Sequence, residues 1–161
     1  MPFERVVLLI DRMVGGRQRH LTVGPQAARA PRVRTTWMAI LTLLALSLLL
    51  GTSTLVIAFV LWRGSTTEPF MVWVRGTVVL GLTAGLVYFV WRAMAGFWWA
   101  YSRMRLFVFI FPVVSLILVS IPGLYPTWMR VEQVAFAVLI LAVGILLWSP
   151  WMRSAYRKPA A

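Results

Sequence analysis

The sequence predicts an all-α integral membrane protein with four transmembrane helices and an N-terminal amphipathic helix at the membrane interface. Three observations lead to this fold class. Hydrophobic residues make up 61% of the 161 residues and charged residues only 12%, whereas a soluble domain is about half apolar and about a quarter charged. The charged residues occur in clumps between long apolar stretches. Tryptophans recur near the ends of those stretches.

The first segment, residues 1–34, is predicted to be a basic cytoplasmic tail. Apolar positions such as Phe3, Val7 and Ile10 share one face of a helix over residues 3–14, opposite the charged positions. Such a helix fits a lipid surface or a protein partner equally well. The stretch that follows it is rich in Gly, Pro and Arg and predicts an irregular connector, whose arginines attract anionic headgroups.

A four-helix transmembrane bundle is predicted over residues 35–152. The expected spans are about residues 37–62, 70–92, 106–121 and 133–149. A helix rises about 1.5 Å per residue, so each stretch is long enough, or nearly so, to cross the hydrocarbon core.

The second span is the shortest uncharged stretch, because Arg75 and Arg92 flank it closely. Long arginine stems let both guanidiniums reach opposite headgroup layers. We therefore expect one long helix that starts at Phe70, crosses the bilayer and extends past it to about Tyr101.

Prolines are expected to limit the later spans. Pro122 and Pro126 end the third helix near residue 121, and Pro150 follows the fourth. Pro112 lies inside the third span and removes a backbone donor, which predicts a kink. A break in the helix that coordinates an ion is the alternative.

The nine tryptophans all fall near predicted span ends. The amphipathic indole ring prefers the headgroup layer, so we expect these side chains to be interface anchors. An aromatic pocket at residues 97–101 is the alternative interpretation.

The basic residues predict which way round the chain lies. Arg63, Arg75 and Arg130 fall on one side, and the other thirteen Lys and Arg residues fall on the opposite side, including the tail at residues 153–161. By the positive-inside rule both termini are cytoplasmic. Arginine greatly outnumbers lysine, which is typical of GC-rich bacterial genomes, so we expect the bacterial inner membrane.

Small residues recur at helical spacing inside the predicted spans. Apolar helices in lipid associate by close van der Waals contact, which favours small residues at the contact. The candidate packing residues are Ser47, Gly51, Thr77, Gly81, Gly85, Ala137 and Gly144. Packing within the chain and packing against another subunit both fit this pattern.

Three charged residues form a candidate interfacial group at the non-cytoplasmic side. Glu68 precedes Arg75 by seven residues and shares a helix face with it if the helix starts early, whereas Glu132 approaches Arg75 from the fourth span. Either pairing lowers the cost of an arginine near hydrocarbon. We therefore expect a structural role for Glu68, Arg75 and Glu132.

The composition excludes most kinds of chemistry. The chain has no cysteine and a single histidine, so thiolate sites and paired haem-ligating histidines are excluded. The sequence has no recognisable catalytic pair or phosphate-binding loop, and no nucleic-acid-binding motif accompanies the basic tail. We expect no catalysis, no cofactor, no metal and no nucleic-acid partner.

Two functions fit these observations. The first, which we favour, is a non-catalytic accessory or assembly subunit of a larger bacterial membrane complex, with membrane lipids and other membrane subunits as its partners. The second is a small channel or transporter that works as a homo-oligomer, because four helices alone hardly enclose a pathway.

Overall fold

The computed structural model is all-helical over the part of the chain that it describes, which confirms the all-α prediction. That part comprises residues 14, 21–24, 26, 30–63, 70–123 and 125–158. The helices are α1 (Pro31–Arg63), α2 (Phe70–Met94), α3 (Trp98–Ser120), α4 (Thr127–Leu147) and α5 (Pro150–Ala155). The first four are long and apolar enough to cross a membrane. Apart from Val14, the predicted helix over residues 3–14 lies outside the described residues, as does Glu68.

The four long helices form an up-and-down bundle. α1 packs against α2 and α4, and α3 packs against the same two helices. We name one end of the bundle the terminal end; α1 and α3 begin there, and α2 and α4 end there. The opposite end is the distal end. At the terminal end, Tyr156 accepts a hydrogen bond from Trp37 of α1 and donates one to the carbonyl of Ala93 of α2. α5 contacts α1 and α4.

α2 ends earlier than the sequence predicts. We expected one helix from Phe70 to about Tyr101, but α2 stops at Met94 and α3 starts at Trp98. The turn between them contains Gly96, whose φ of 93° is in the left-handed region. Glycine adopts this conformation without the steric cost of a Cβ atom. The predicted extension of the second span is therefore wrong, and its last residues form the first turn of α3.

The connector before α1 pairs with this turn. The N–H of Val23 donates to the carbonyl of Gly96 at 2.8 Å, and the N–H of Trp98 donates to the carbonyl of Leu21 at 3.1 Å. These bonds satisfy backbone groups that the end of α2 and the start of α3 leave unpaired. The partner segment is distant in sequence, so local residue patterns do not reveal it.

α3 and α4 begin before the predicted spans at residues 106 and 133. We expected the spans to stop at the nearest charged residues, but both helices continue past Arg105 and Glu132. The guanidinium carbon of Arg105 lies 4.0 Å from the centroid of a Trp148 ring, and Glu132 accepts a hydrogen bond from α2. Because each charge has a partner, a helix carries it at lower cost.

Prolines delimit several helices. α1 and α5 begin at Pro31 and Pro150, where the missing N–H is not needed. α1 thus starts within the segment that we assigned to the tail. α3 ends at Ser120, just before Pro122, whereas Pro112 lies buried inside α3 and the helix continues past it.

Most buried side chains form one core at the terminal end and the centre of the bundle. Its largest members include Trp37, Trp99, Tyr101 and Phe136. A smaller cluster lies at the distal end and consists of Ala58, Val72, Tyr125 and Met129. The outward faces carry large apolar side chains, such as Leu49, which is 67% exposed, and Ile145, which is 73% exposed. Soluble proteins rarely expose such continuous apolar surface.

Two tryptophans differ from the interface anchors that we expected. Trp37 and Trp99 are each 1% exposed and belong to the core, whereas Trp62 is 57% exposed. The ring of Trp37 contacts Tyr156 edge-to-face, with 5.7 Å between the ring centroids. A tryptophan near a helix end is therefore able either to lie at the interface or to pack in the core. Contacts with distant parts of the chain determine which of the two occurs.

Candidate functional site

An ion pair is buried at the distal end of the bundle. Arg75 lies near the start of α2 and Glu132 near the start of α4, and Nη1 of Arg75 donates to Oε2 of Glu132 at 2.6 Å. The two side chains are only 6% and 9% exposed. The guanidinium carbon also lies 5.9 Å from the centroid of the Tyr125 ring. Their mutual attraction offsets the cost of removing both charges from water.

This pair is one of the two arrangements that the sequence left open. The other involves Glu68, which lies outside the described residues. The direction of the arginine differs from our expectation, because we expected the Arg75 guanidinium to reach outwards to the headgroup layer. It turns inwards instead, since Glu132 faces it from α4.

A second polar side chain lies at the same end. Gln133 is 1% exposed, and its Nε2 donates to the carbonyl oxygen of Ser115 on α3 at 3.0 Å. Its Oε1 is buried without a hydrogen-bond partner among the described residues, as are Nε and Nη2 of Arg75 and Oε1 of Glu132. Buried polar atoms without partners are uncommon and costly. This end of the bundle therefore offers both donors and acceptors to a ligand.

A groove opens beside these polar side chains, between α2 and α3. Its volume of about 420 Å³ lies in the range of roughly 300–1,000 Å³ that small-molecule pockets occupy. The walls are mostly apolar side chains, among them Val78, Leu82, Ile110 and Val114. Arg75 and Gln133 also line it. The groove is therefore apolar along most of its length and polar at its distal end.

The side chains of this site offer charge and hydrogen bonds to a ligand. Within residues 14, 21–24, 26, 30–63, 70–123 and 125–158, no three His, Cys, Asp or Glu side chains come together as metal ligands would. The carboxylate of Glu132 is already engaged by Arg75. The arrangement is suited to hold a polar head group by charge and hydrogen bonds.

Aromatic side chains fasten the C-terminal segment to the terminal end. Tyr156 is 2% exposed, and its ring stacks on that of Tyr101 with 4.6 Å between the centroids. Its hydroxyl accepts from Nε1 of Trp37 at 3.1 Å and donates to the carbonyl of Ala93 at 2.8 Å. Burial raises the pKa of Tyr156 to about 12, although the hydrogen bond from Trp37 acts in the opposite direction. We assign this cluster a structural role.

The seven candidate packing residues divide into two groups. Four are buried between helices of the chain itself, namely Ser47, Gly51, Ala137 and Gly144. The other three lie on α2, where Thr77 and Gly81 are exposed and Gly85 is half-buried. A Cβ atom added to either of these two glycines would meet nothing within 4 Å. The α2 residues therefore form an outward face of small residues, which we name the small-residue face.

No known protein family, curated protein sequence or solved structure matches this chain. The function is therefore inferred from the contacts, burial and charges of the chain itself.

Sequence reasoning did not identify Gln133 or Tyr156. An amide beside Glu132 in an otherwise apolar stretch is a signal for Gln133, but its partner, the Ser115 carbonyl, belongs to another helix. Tyr156 lies in the basic tail, and nothing in its local sequence indicates that its ring is buried. Both roles depend on contacts across the bundle.

Proposed function

We propose that the protein crosses a bacterial inner membrane four times with both termini in the cytoplasm. We further propose that it is a non-catalytic accessory or assembly subunit of a larger membrane complex. The observation that carries this proposal is the small-residue face of α2, formed by Thr77, Gly81 and Gly85. Small residues at four-residue intervals let a second transmembrane helix approach closely.

This face places three small residues one helical turn apart, with Val74 and Val78 also exposed beside them. α1, α3 and α4 present large branched side chains, for example Leu49, Ile117 and Ile145. Such side chains suit contact with acyl chains. On α2, Gly81 lies opposite the buried side that contains Val79, so a partner helix reaches it without disturbing the bundle. The occupant we propose is a transmembrane helix of a different protein.

The charged residues favour an accessory subunit over a transport pathway. Ion and proton pathways generally need ionisable groups deep in the membrane. Within the described part of the chain, the charged side chains of the four long helices lie towards the helix ends, as Arg75, Arg105 and Glu132 illustrate. Interfacial lipids with anionic headgroups are the other partners we propose, because the tails are basic and Arg92, Arg103 and Arg105 lie on the helix ends that flank the turn between α2 and α3.

Native mass spectrometry of the protein, gently extracted from its source membrane, tests the proposal. We expect the chain to occur with at least one unrelated membrane subunit in a fixed ratio. Gly81→Leu should remove that subunit, because a large side chain holds a partner helix away. Ala45→Leu is the matched control, since Ala45 is exposed on α1, and it should leave the complex intact.

Two results would contradict this function. Masses at integer multiples of 18.3 kDa alone would favour the homo-oligomeric channel or transporter, for which ion or solute flux in proteoliposomes is the direct measurement. Retention of the partner in Gly81→Leu, at the same level as in Ala45→Leu, would exclude the small-residue face as the contact.

A further inference from the structure

The groove between α2 and α3 combines apolar walls with buried, unpartnered polar atoms at one end. Val78 and Val114 lie on its exposed side, whereas Arg75 and Gln133 are each more than nine-tenths buried and line it as well. We propose that this groove binds a single-chain lipid with a carboxyl head group, of the long-chain fatty acid type. The acyl chain lies between α2 and α3, and the carboxyl group meets Arg75.

Arg75 leaves one edge of its guanidinium to the ligand. Its Nη1 donates to Glu132, whereas its Nε and Nη2 are buried without partners. Nε and Nη2 lie on the same edge of the planar group, so their N–H bonds run side by side. Two parallel donors match the two oxygens of a carboxylate in a bidentate pair.

The neighbouring groups favour a carboxyl head over a phosphate head. Glu132 already neutralises Arg75, so a second full negative charge at this site is only partly compensated. A carboxylate carries only one negative charge, which its two oxygens share in accepting from Nε and Nη2 of Arg75. A phosphate monoester carries about −1.5 to −2 charges at pH 7, which the Glu132 carboxylate repels.

The size and position of the groove suit a single chain. Its volume of about 420 Å³ is that of a small-ligand pocket, which favours one acyl chain over a two-chain phospholipid. The groove borders the small-residue face, because Val74 and Val78, which line the groove, lie on the same side of α2 as Gly81 and Gly85. Lipid binding is measured on the purified chain alone, so its test does not depend on the proposed partner contact.

Photolabelling in lipid nanodiscs tests this inference. The full chain is reconstituted in phosphatidylcholine with a palmitic acid that carries a diazirine at mid-chain, and the labelled residues are mapped by mass spectrometry. We expect labels to concentrate on Val78, Leu82, Ile110 and Val114. Excess oleate should suppress them, whereas excess methyl oleate, which has no free carboxyl group, should not.

Variants separate the two parts of the site. Arg75→Lys keeps the charge but loses the parallel donors, and should lower labelling about tenfold. Val114→Phe fills the exposed side of the groove and should remove most labelling. Val113→Phe is its matched control, because Val113 is exposed on the same helix but does not line the groove, and it should label like the wild type.

Two results would overturn the inference. One is labelling spread evenly over outward residues of α1 and α4, such as Leu49 and Ile145. The other is equal suppression by oleate and methyl oleate, which would remove the role of the carboxyl group. Thermal unfolding of each variant establishes that it is folded, and the pair Val114→Phe and Val113→Phe still decides the question if Arg75→Lys does not fold.

Discussion

Arg75 and Glu132 are accommodated in an apolar bundle because each is the other's partner. Nη1 of Arg75 and Oε2 of Glu132 are 2.6 Å apart, and neither side chain is more than 9% exposed. A buried pair of this kind adds little net stability, since desolvation of both charges cancels most of their attraction. Removal of one partner lowers the free energy of unfolding, because the remaining charge stays buried without compensation.

We expect Arg75→Leu to destabilise the folded protein by about 3–5 kcal/mol, because Glu132 is left buried and unpaired. Glu132→Leu should cost a similar amount for the same reason. The double variant should lie much closer to the wild type, since both desolvation costs disappear together. Unfolding free energies in detergent, combined as a double-mutant cycle, measure this coupling. Additive costs of the two single variants would show that the pair is not coupled.

Tyr156 makes stability depend on pH at the alkaline end. The pKa of its phenol is about 12 in the folded protein, against an ordinary value of 10.0. Below pH 10 the phenol is protonated in both states and its contribution is complete. Between pH 10 and 12 the unfolded state ionises first, so stability falls, by on the order of 3 kcal/mol at most.

We therefore expect the unfolding midpoint of the wild type to decrease more steeply from pH 10 to pH 12 than that of Tyr156→Phe. The comparison removes the contributions of the other titrating groups, which both proteins share. Thermal unfolding in detergent, followed at pH values from 8 to 12, gives the two curves. Parallel curves would mean that the Tyr156 phenol does not titrate differently in the two states.

At the scale of the helices, the ends and the contact faces depend on neighbouring elements. α2 stops at Met94 because the turn around Gly96 is held by backbone hydrogen bonds from residues 21–24. The small residues show the same dependence. Gly144 lies against α3, where an added Cβ would be 3.5 Å from Cγ2 of Val108, whereas Gly81 has open space beside it.

Gly144→Leu and Gly81→Leu should therefore differ in their effect on the isolated chain. We expect Gly144→Leu to destabilise it by about 1–3 kcal/mol, because the larger side chain is forced between α3 and α4. Gly81→Leu should change the unfolding free energy of the purified chain by less than about 0.5 kcal/mol. Equal destabilisation by both substitutions would show that the small-residue face is packed within the bundle.

At the scale of the whole molecule, the outer surface and the charge distribution agree with each other. Large apolar side chains cover the outward faces of α1, α3 and α4. Among the described residues, basic side chains are more numerous at the terminal end than at the distal end, where Arg63, Arg75 and Arg130 lie. Both features support a chain that crosses the membrane with its terminal end in the cytoplasm.

Reporter fusions test this orientation in cells. We expect green fluorescent protein to be fluorescent at either terminus, because the proposed arrangement places both termini in the cytoplasm. Alkaline phosphatase should be active only when fused in the distal connections, for example after Arg63 or Gly123. Active phosphatase at one terminus and fluorescence at the other would mean an odd number of crossings and would contradict the four-span arrangement.

The sequence by itself determined the all-helical character of the chain and the number of long apolar helices. Hydrophobicity and length are properties of each segment alone, so composition and spacing are sufficient to predict four helices that are able to cross a membrane. The positions of Arg75 and Glu132 also indicated that they are candidates for one pair. Only the tertiary structure established the contact between Arg75 and Glu132.

Other features were decided by the tertiary structure alone. These include the end of α2 at Met94, the burial of Trp37, the outward position of Gly81 and the groove between α2 and α3. Each depends on which helix face meets which neighbour, and residues far apart in the chain supply that information. A local sequence pattern specifies that a segment forms an apolar helix. The packing of the other helices determines where that helix ends and which of its side chains are buried.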